Sequence, residues 1–161
     1  MSRNRCVITA PSAIVRALPQ AASPFAHDME VTMHLKVVLA VGVDSWLLAT
    51  HSFAWRPAGF VVLSALTVRD AFDRFESGDF DLVLLGQSLS VESKERLTFL
   101  IRSSGSRTPV VSIANPSAAC DSFANATIRN DSKALLQGMG ELLAEESRLR
   151  SRQMVLSGHA G

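Results

Sequence analysis

The side chains able to do chemistry are scattered along this sequence. His27, His34, His51 and His159 fall at unrelated spacings, and Cys6 and Cys120 lie far apart with no histidine beside either. Neither pattern is that of a zinc site or a disulfide framework, so two unlinked thiols in a reducing compartment are expected. No GxGxxG or Walker pattern follows an apolar run, and no GxSxG elbow is present. What the sequence does offer is a place where chemistry would sit. Asp81-Leu82-Val83-Leu84-Leu85 is an apolar run opened by an acid and closed by Gly86-Gln87-Ser88, the pattern of a strand buried on both faces of a parallel sheet. Ligands of such sheets bind beyond the carboxyl ends of the strands. Gly86 stands there and brings no side chain.

The elements that would position such a site follow from pattern. His34–Val41 reads as a first strand ended by Gly42 and Asp44, and Ser45–Trp55 as a helix stopped by Pro57 and Gly59. Trp46 and Trp55 cannot share one helical face, because nine steps of about 100° place them on opposite sides, so one is expected exposed. Phe60–Leu63 is a second strand. Thr67 and Asp70 form a variant capping box for a second helix whose buried face is Val68, Ala71, Phe72 and Phe75. The third strand, Asp81–Leu85, precedes a helix from Val91 to Ile101 capped by Ser90. Pro109–Ile113 is a fourth strand, Ala118–Asn125 a weak short helix, and Ala126–Arg129 a fifth strand. Asp131 or Ser132 caps a last helix, with Leu135, Leu136, Met139, Leu142 and Leu143 on its apolar face. Strands alternating with helices imply a doubly wound five-stranded parallel sheet of flavodoxin-like (βα)5 type, helices on both faces, in three α/β/α layers.

At 161 residues the chain suits one domain with terminal excess. Residues 1–33 read as a disordered extension or an upstream mis-assigned start, 34–145 as the compact domain, and 146–161 as a flexible tail. A net charge of +1 gives no global field toward nucleic acid or an anionic membrane. No apolar run of about 18 residues supports a membrane span. A cytoplasmic protein is expected.

With the elements placed, the chain resembles a response-regulator receiver domain of two-component signalling over roughly Leu35–Leu143. The resemblance rests on Lys36-Val37-Val38-Leu39-Ala40-Val41, Pro57-Ala58-Gly59-Phe60-Val61-Val62, and Ala71-Phe72-Asp73 through Gly78-Asp79-Phe80-Asp81-Leu82-Val83-Leu84-Leu85. Pro109-Val110-Val111-Ser112-Ile113 and Ile128-Arg129-Asn130-Asp131-Ser132 add to it. It implies a carboxylate after strand three that accepts phosphate, an acidic pair after strand one that holds magnesium, a hydroxyl after strand four, and a lysine after strand five. Here the acceptor position matches Gly86 and the acidic pair Val41 and Gly42. The hydroxyl position matches Ala114 and the lysine position Arg129. Asp44 is read as a helix cap, Ser88 as a turn residue and Asp121 as facing solvent.

The resemblance therefore implies a non-enzymatic pseudo-receiver without metal or cofactor, acting in signalling through protein partners, a second copy of itself among the candidates. Arg129 and the helix after Ser132 are the candidate contact elements. The other reading is a flavodoxin-like domain with an unrecognised small-molecule or catalytic site, which a concave polar pocket beyond the strand ends would favour.

Overall fold

The structure is a computed structural model that describes residues 5–6, 35–114 and 120–157. In chain order the elements are β1 (Arg5–Cys6), β2 (Lys36–Val41), α1 (Ser45–Trp55), β3 (Phe60–Ala65), α2 (Val68–Ser77), β4 (Leu82–Leu85), α3 (Val91–Ser103), β5 (Val110–Ala114), β6 (Ala126–Arg129) and α4 (Ser132–Ser157). All strand pairs are parallel, in the order β1-β6-β5-β4-β2-β3. Strands β2 to β6 make the five-stranded flavodoxin-like sheet expected from the sequence.

Alternation along the strands splits the core into two layers, as it must when successive side chains point to opposite faces. Val38, Ala40, Leu82 and Leu84 pack with Trp55 of α1 and with Leu135, Met139 and Leu143 of α4. Leu39, Val41, Val83 and Leu85 pack with Ala71 and Phe75 of α2 and with Leu97 and Ile101 of α3. Both faces of β2 and β4 are thus covered, which is why these strands read as continuous apolar runs. Asp81, the acid that opens the β4 run, accepts from the Val37 amide at 2.9 Å, while its own amide donates to Val37 O at 2.9 Å. It ties the start of β4 to β2.

Side-chain caps form at Thr67, Ser90 and Asp131, the first without the return bond from Asp70 that the expected capping box would have. Thr67 accepts from the Asp70 amide at 3.1 Å, and Asp70 turns to Arg74 at 2.9 Å on the same helix. Ser90 accepts from the Ser93 amide and Asp131 from the Ala134 amide. Of the two tryptophans, Trp46 is 75% exposed and Trp55 is 1% exposed. Acrylamide is expected to quench one emitting population and spare the other, and Trp46→Phe should abolish the quenchable part. Uniform quenching of both tryptophans would contradict the placement.

Several features differ from the sequence expectation. Between β5 and β6, residues 120–125 form turns and bends and no helix, while positions 118 and 119 lie outside the described residues. The reason is competition from side chains. Asn125 Oδ1 accepts from the Val110 amide at 2.8 Å and from Arg102 Nη2 at 2.7 Å, and the Asp121 amide donates to Thr127 Oγ1 at 3.1 Å. An Asn side chain that satisfies strand backbone, together with an amide held by a strand hydroxyl, keeps the segment in a non-helical path. Arg102 also donates to Thr108 O at 2.8 Å. Burial holds its guanidinium below the ordinary arginine range, with the Glu146 carboxylate acting in the opposite sense.

The segment 146–157, read as a flexible tail, continues α4 to Ser157. Inside the stretch read as an extension, Arg5–Cys6 pairs with Ala126 and Thr127 of β6. Cys120 is disulfide-bonded, which overturns the expectation of unlinked thiols. Sequence distance hid this. The other cysteine of the sequence, Cys6, lies in register with Thr127, whose hydroxyl is bonded by the residue next to Cys120. A reducing compartment loses the support that free thiols gave it. No helix among the described residues is long and apolar enough to cross a membrane.

Candidate functional site

The crossover between β3 and β4 puts β2 and β4 side by side, with Val41 opposite Leu85. The two loops leaving their carboxyl ends therefore meet, and this is the switch point at which open α/β sheets bind ligands. Gly86 donates its amide to Val41 O at 2.8 Å, one residue past the last sheet pair. The loops do not diverge to make a cleft. A Cβ built on Gly86 would lie 2.5 Å from the Gly42 carbonyl carbon and 2.8 Å from the Val43 nitrogen, and nearer still to the Gly42 oxygen. Gly86 is not among the glycines with positive φ. It is required by space, because the backbone of the β2–α1 loop occupies the volume a side chain would fill.

The packing is reciprocal. Gly42 has φ of 60°, a left-handed conformation that glycine adopts without penalty. A Cβ there would lie 2.8 Å from Leu89 Cδ2, so Leu89 closes over Gly42 from the following loop. Leu89 packs against the α2/α3 side of the core, and Ser88 Oγ donates to Gly42 O in a short hydrogen bond. Gln87 Nε2 reaches across to Ala114 O at 2.9 Å and joins the ends of β4 and β5. Three consecutive residues after Gly86 are thus committed to sealing the strand ends.

The residues expected at the reactive positions fall as follows. Val41 is fully buried with its side chain in the core, and Gly42 lies beneath Leu89. Ala114 is half-buried under Gln87, and Arg129, in register with Ala114, is exposed at the end of β6. Asp44 is exposed. It is a single exposed carboxylate beside a valine, a glycine and closed backbone, whereas magnesium asks for oxygen ligands at near-octahedral positions. Among the described residues no group of three or more His, Cys, Asp and Glu could hold a metal ion.

The structure also brings together residues that sequence reasoning missed. Lys94 of α3 is buried, and its Nζ donates to Ser112 Oγ at 2.9 Å and to Ile113 O at 3.1 Å. It lies 3.6 Å from Asp121 Oδ2, to which Ser112 Oγ also donates in a short bond. Asp121 was expected to face solvent; its side chain is only 13% exposed, because the buried Lys94 ammonium draws it inward. A signal was present in the sequence. Lys94, Leu97, Thr98 and Ile101 recur at the spacing of one helical face, and all four are buried.

A groove of about 670 Å³ lies at the opposite, amino-terminal edge of the sheet, lined by Glu76, Asp79, Asp81, Thr108 and Arg150 among others. It is remote from the strand ends where a catalytic pocket of this fold would be expected.

Solved structures with the same arrangement are receiver domains. The chemotaxis response regulator CheY4 of Vibrio cholerae superposes with a TM-score of 0.57 at 18% identity, over 66% of this chain and 98% of that one. The receiver domain protein from Clostridium thermocellum gives 0.60 at 16% identity, over 71% and 99%. A chain of the complex between histidine kinase ThkA and response regulator protein TrrA gives 0.57 at 18%, over 67% and 98%. The chain has the receiver fold. No family model and no curated relative matches its sequence. The receiver fold accounts for the parallel sheet, the switch point and the two helical layers.

Proposed function

We propose that this receiver-fold domain is a pseudo-receiver that acts in signal transduction through protein contacts, without aspartyl phosphorylation. The observation that carries the reading is the closure at Gly86. An acceptor carboxylate needs a Cβ, an open volume for the phosphoryl group and a metal beside it, and at this position backbone fills the first of these. Val41, Gly42 and Ala114 supply none of the remaining groups, and Gln87 lies across the carbonyl of Ala114. The chemistry is absent as a unit, so regulation would come from binding or assembly.

The test is a titration of the protein with magnesium and beryllium fluoride, followed by backbone amide shifts. No shifts above those caused by magnesium alone are expected at residues 41–46, 86–90 or 114. Localised, saturable shifts at Asp44 and Gly86 would overturn the reading.

A further inference from the structure

The stretch from Ser45 to Val68 contains one arginine, Arg56, and one histidine, His51, with no acid and no lysine. It folds into α1 and β3, and β3 ends the sheet on the side away from β1. Among the described residues β3 pairs only with β2, in an unbroken register from Lys36 opposite Phe60 to Val41 opposite Ala65. Natural sheet edges are usually blunted by charge, proline, a bulge or brevity. This strand of six residues has none of these devices.

The hydrogen bonds decide which groups it leaves open. Lys36 N donates to Gly59 O and Gly42 N to Ala65 O, so the odd-numbered residues face β2. By the alternation of a parallel ladder, Phe60, Val62 and Ser64 turn their N–H and C=O outward. On the α2 side of this edge Val61 is 38% exposed and Leu63 44%, with Leu66 at 78% just beyond. On the other side α1 buries Trp55 with Phe60 and presents Trp46, Ala49, Thr50 and Ala54 to solvent. The side chains of β3 itself, Leu66 and the exposed residues of α1 are therefore uncharged, and the nearest charges along the chain are Arg56 before the strand and those of α2 beyond Leu66.

We infer that β3 is the interface of a homodimer in which a second copy of this chain adds its own β3 antiparallel across a two-fold axis at Val62. The register follows from the groups themselves. With Val62 opposite its own copy, Phe60 stands opposite the partner's Ser64, and the outward N–H and C=O of all three residues find partners. The same register makes Val61 and Leu63 of opposite copies a non-hydrogen-bonded pair, the arrangement that brings side chains closest. One alignment satisfies the backbone and covers the exposed apolar side chains at once. Neither strand carries a charge, so no ion lies within the paired strands themselves. An isologous contact of this kind uses the same edge on both copies and therefore closes at two, with the β3 edge of each consumed. The inference goes beyond the pseudo-receiver reading and stands without it, since the contact involves neither Gly86 nor a ligand.

Sedimentation equilibrium of the full chain tests the proposal, with circular dichroism and thermal melts as controls of folding. The wild type is expected to dimerise at micromolar concentrations. Val61→Lys with Leu63→Lys places like charges opposite each other and should weaken the dimer at least tenfold. Val61→Lys with Leu63→Glu places opposite charges across the same pair and should restore it in a salt-sensitive way. A second measurement needs no variant: amide exchange of Phe60, Val62 and Ser64 should slow as wild-type concentration rises. A monomeric wild type would overturn the inference. So would a dimer indifferent to the two lysines, equal loss in both double variants, or exchange at these amides that ignores concentration. The last results would assign the edge to another protein or to residues 7–34 of the chain itself.

Discussion

Gly86→Asp is expected to destabilise the protein and to leave it unable to accept phosphate. In an ordinary vacated site, restoring the missing residue restores at least part of the chemistry. Here the new Cβ would lie within 2.8 Å of the Val43 nitrogen and closer to the Gly42 carbonyl. The colliding atoms are backbone, which cannot swing aside as the end of a long side chain can. Relief would need the β2–α1 loop to move out, breaking the Ser88 bond to Gly42 O and lifting Leu89 from the core. Overpacking of this type costs about 1–3 kcal/mol and at times more. With some 2–4 °C lost per kcal/mol in a domain of this size, the melting temperature should fall by roughly 2–12 °C. Gly86→Ala should behave similarly, because the Cβ is the offending atom. Gly140→Ala is the matched control. It lies within α4 with nothing inside 4 Å of an added Cβ, and should stabilise by about 0.5–1 kcal/mol. If Gly86→Ala melted within a degree of wild type, or Gly86→Asp became labelled by a small phosphodonor, the closure would not be a property of the molecule in solution.

Much of this arrangement was legible in the sequence, for reasons that lie in particular residues. The apolar runs of β2 and β4 declared two-sided burial, and the caps at Thr67, Ser90 and Asp131 marked the starts of α2, α3 and α4. Ser45–Trp55 was bounded correctly because Asp44 and Pro57 punctuate it. The absence of reactive side chains near Gly86 could also be read from residue types. That the space is filled could not, since it depends on how closely two loops from distant parts of the chain approach. The same holds for Cys120 and for Asp121, whose partners lie across strands whose order the sequence does not display. The length of α4 was missed for a different reason. The polar residues from Glu146 onward carry no apolar face to pack, yet Ser147 and Ser151 bond back to the carbonyls of Leu143 and Ser147 and the helix continues past the domain.

The buried cluster at Lys94 gives the second large effect. Asp121→Ala would leave the Lys94 ammonium, 7% exposed, with Ser112 Oγ and Ile113 O but without its counter-charge. Removing one partner of a buried pair typically costs about 3–5 kcal/mol, because the other charge stays desolvated. Lys94→Met is expected to cost less, about 1–2 kcal/mol. It removes the charge outright with similar volume, and Asp121 keeps its bond from Ser112. The double variant should be more stable than the sum of the two losses implies, with a coupling of about 2 kcal/mol in urea unfolding. A loss below about 0.5 kcal/mol for Asp121→Ala would show that the pair is solvated and contributes no more than a surface ion pair does. The cluster also has a local signature. Asp121 begins the turn segment that lies where the sequence pattern implied a helix, and its amide is bonded to Thr127 on β6. Releasing Asp121 should therefore raise amide exchange at residues 120–125 well beyond the change in the neighbouring strands. A uniform rise across β5, β6 and the segment would mean that Lys94 supports the core generally and does not hold this loop against the sheet.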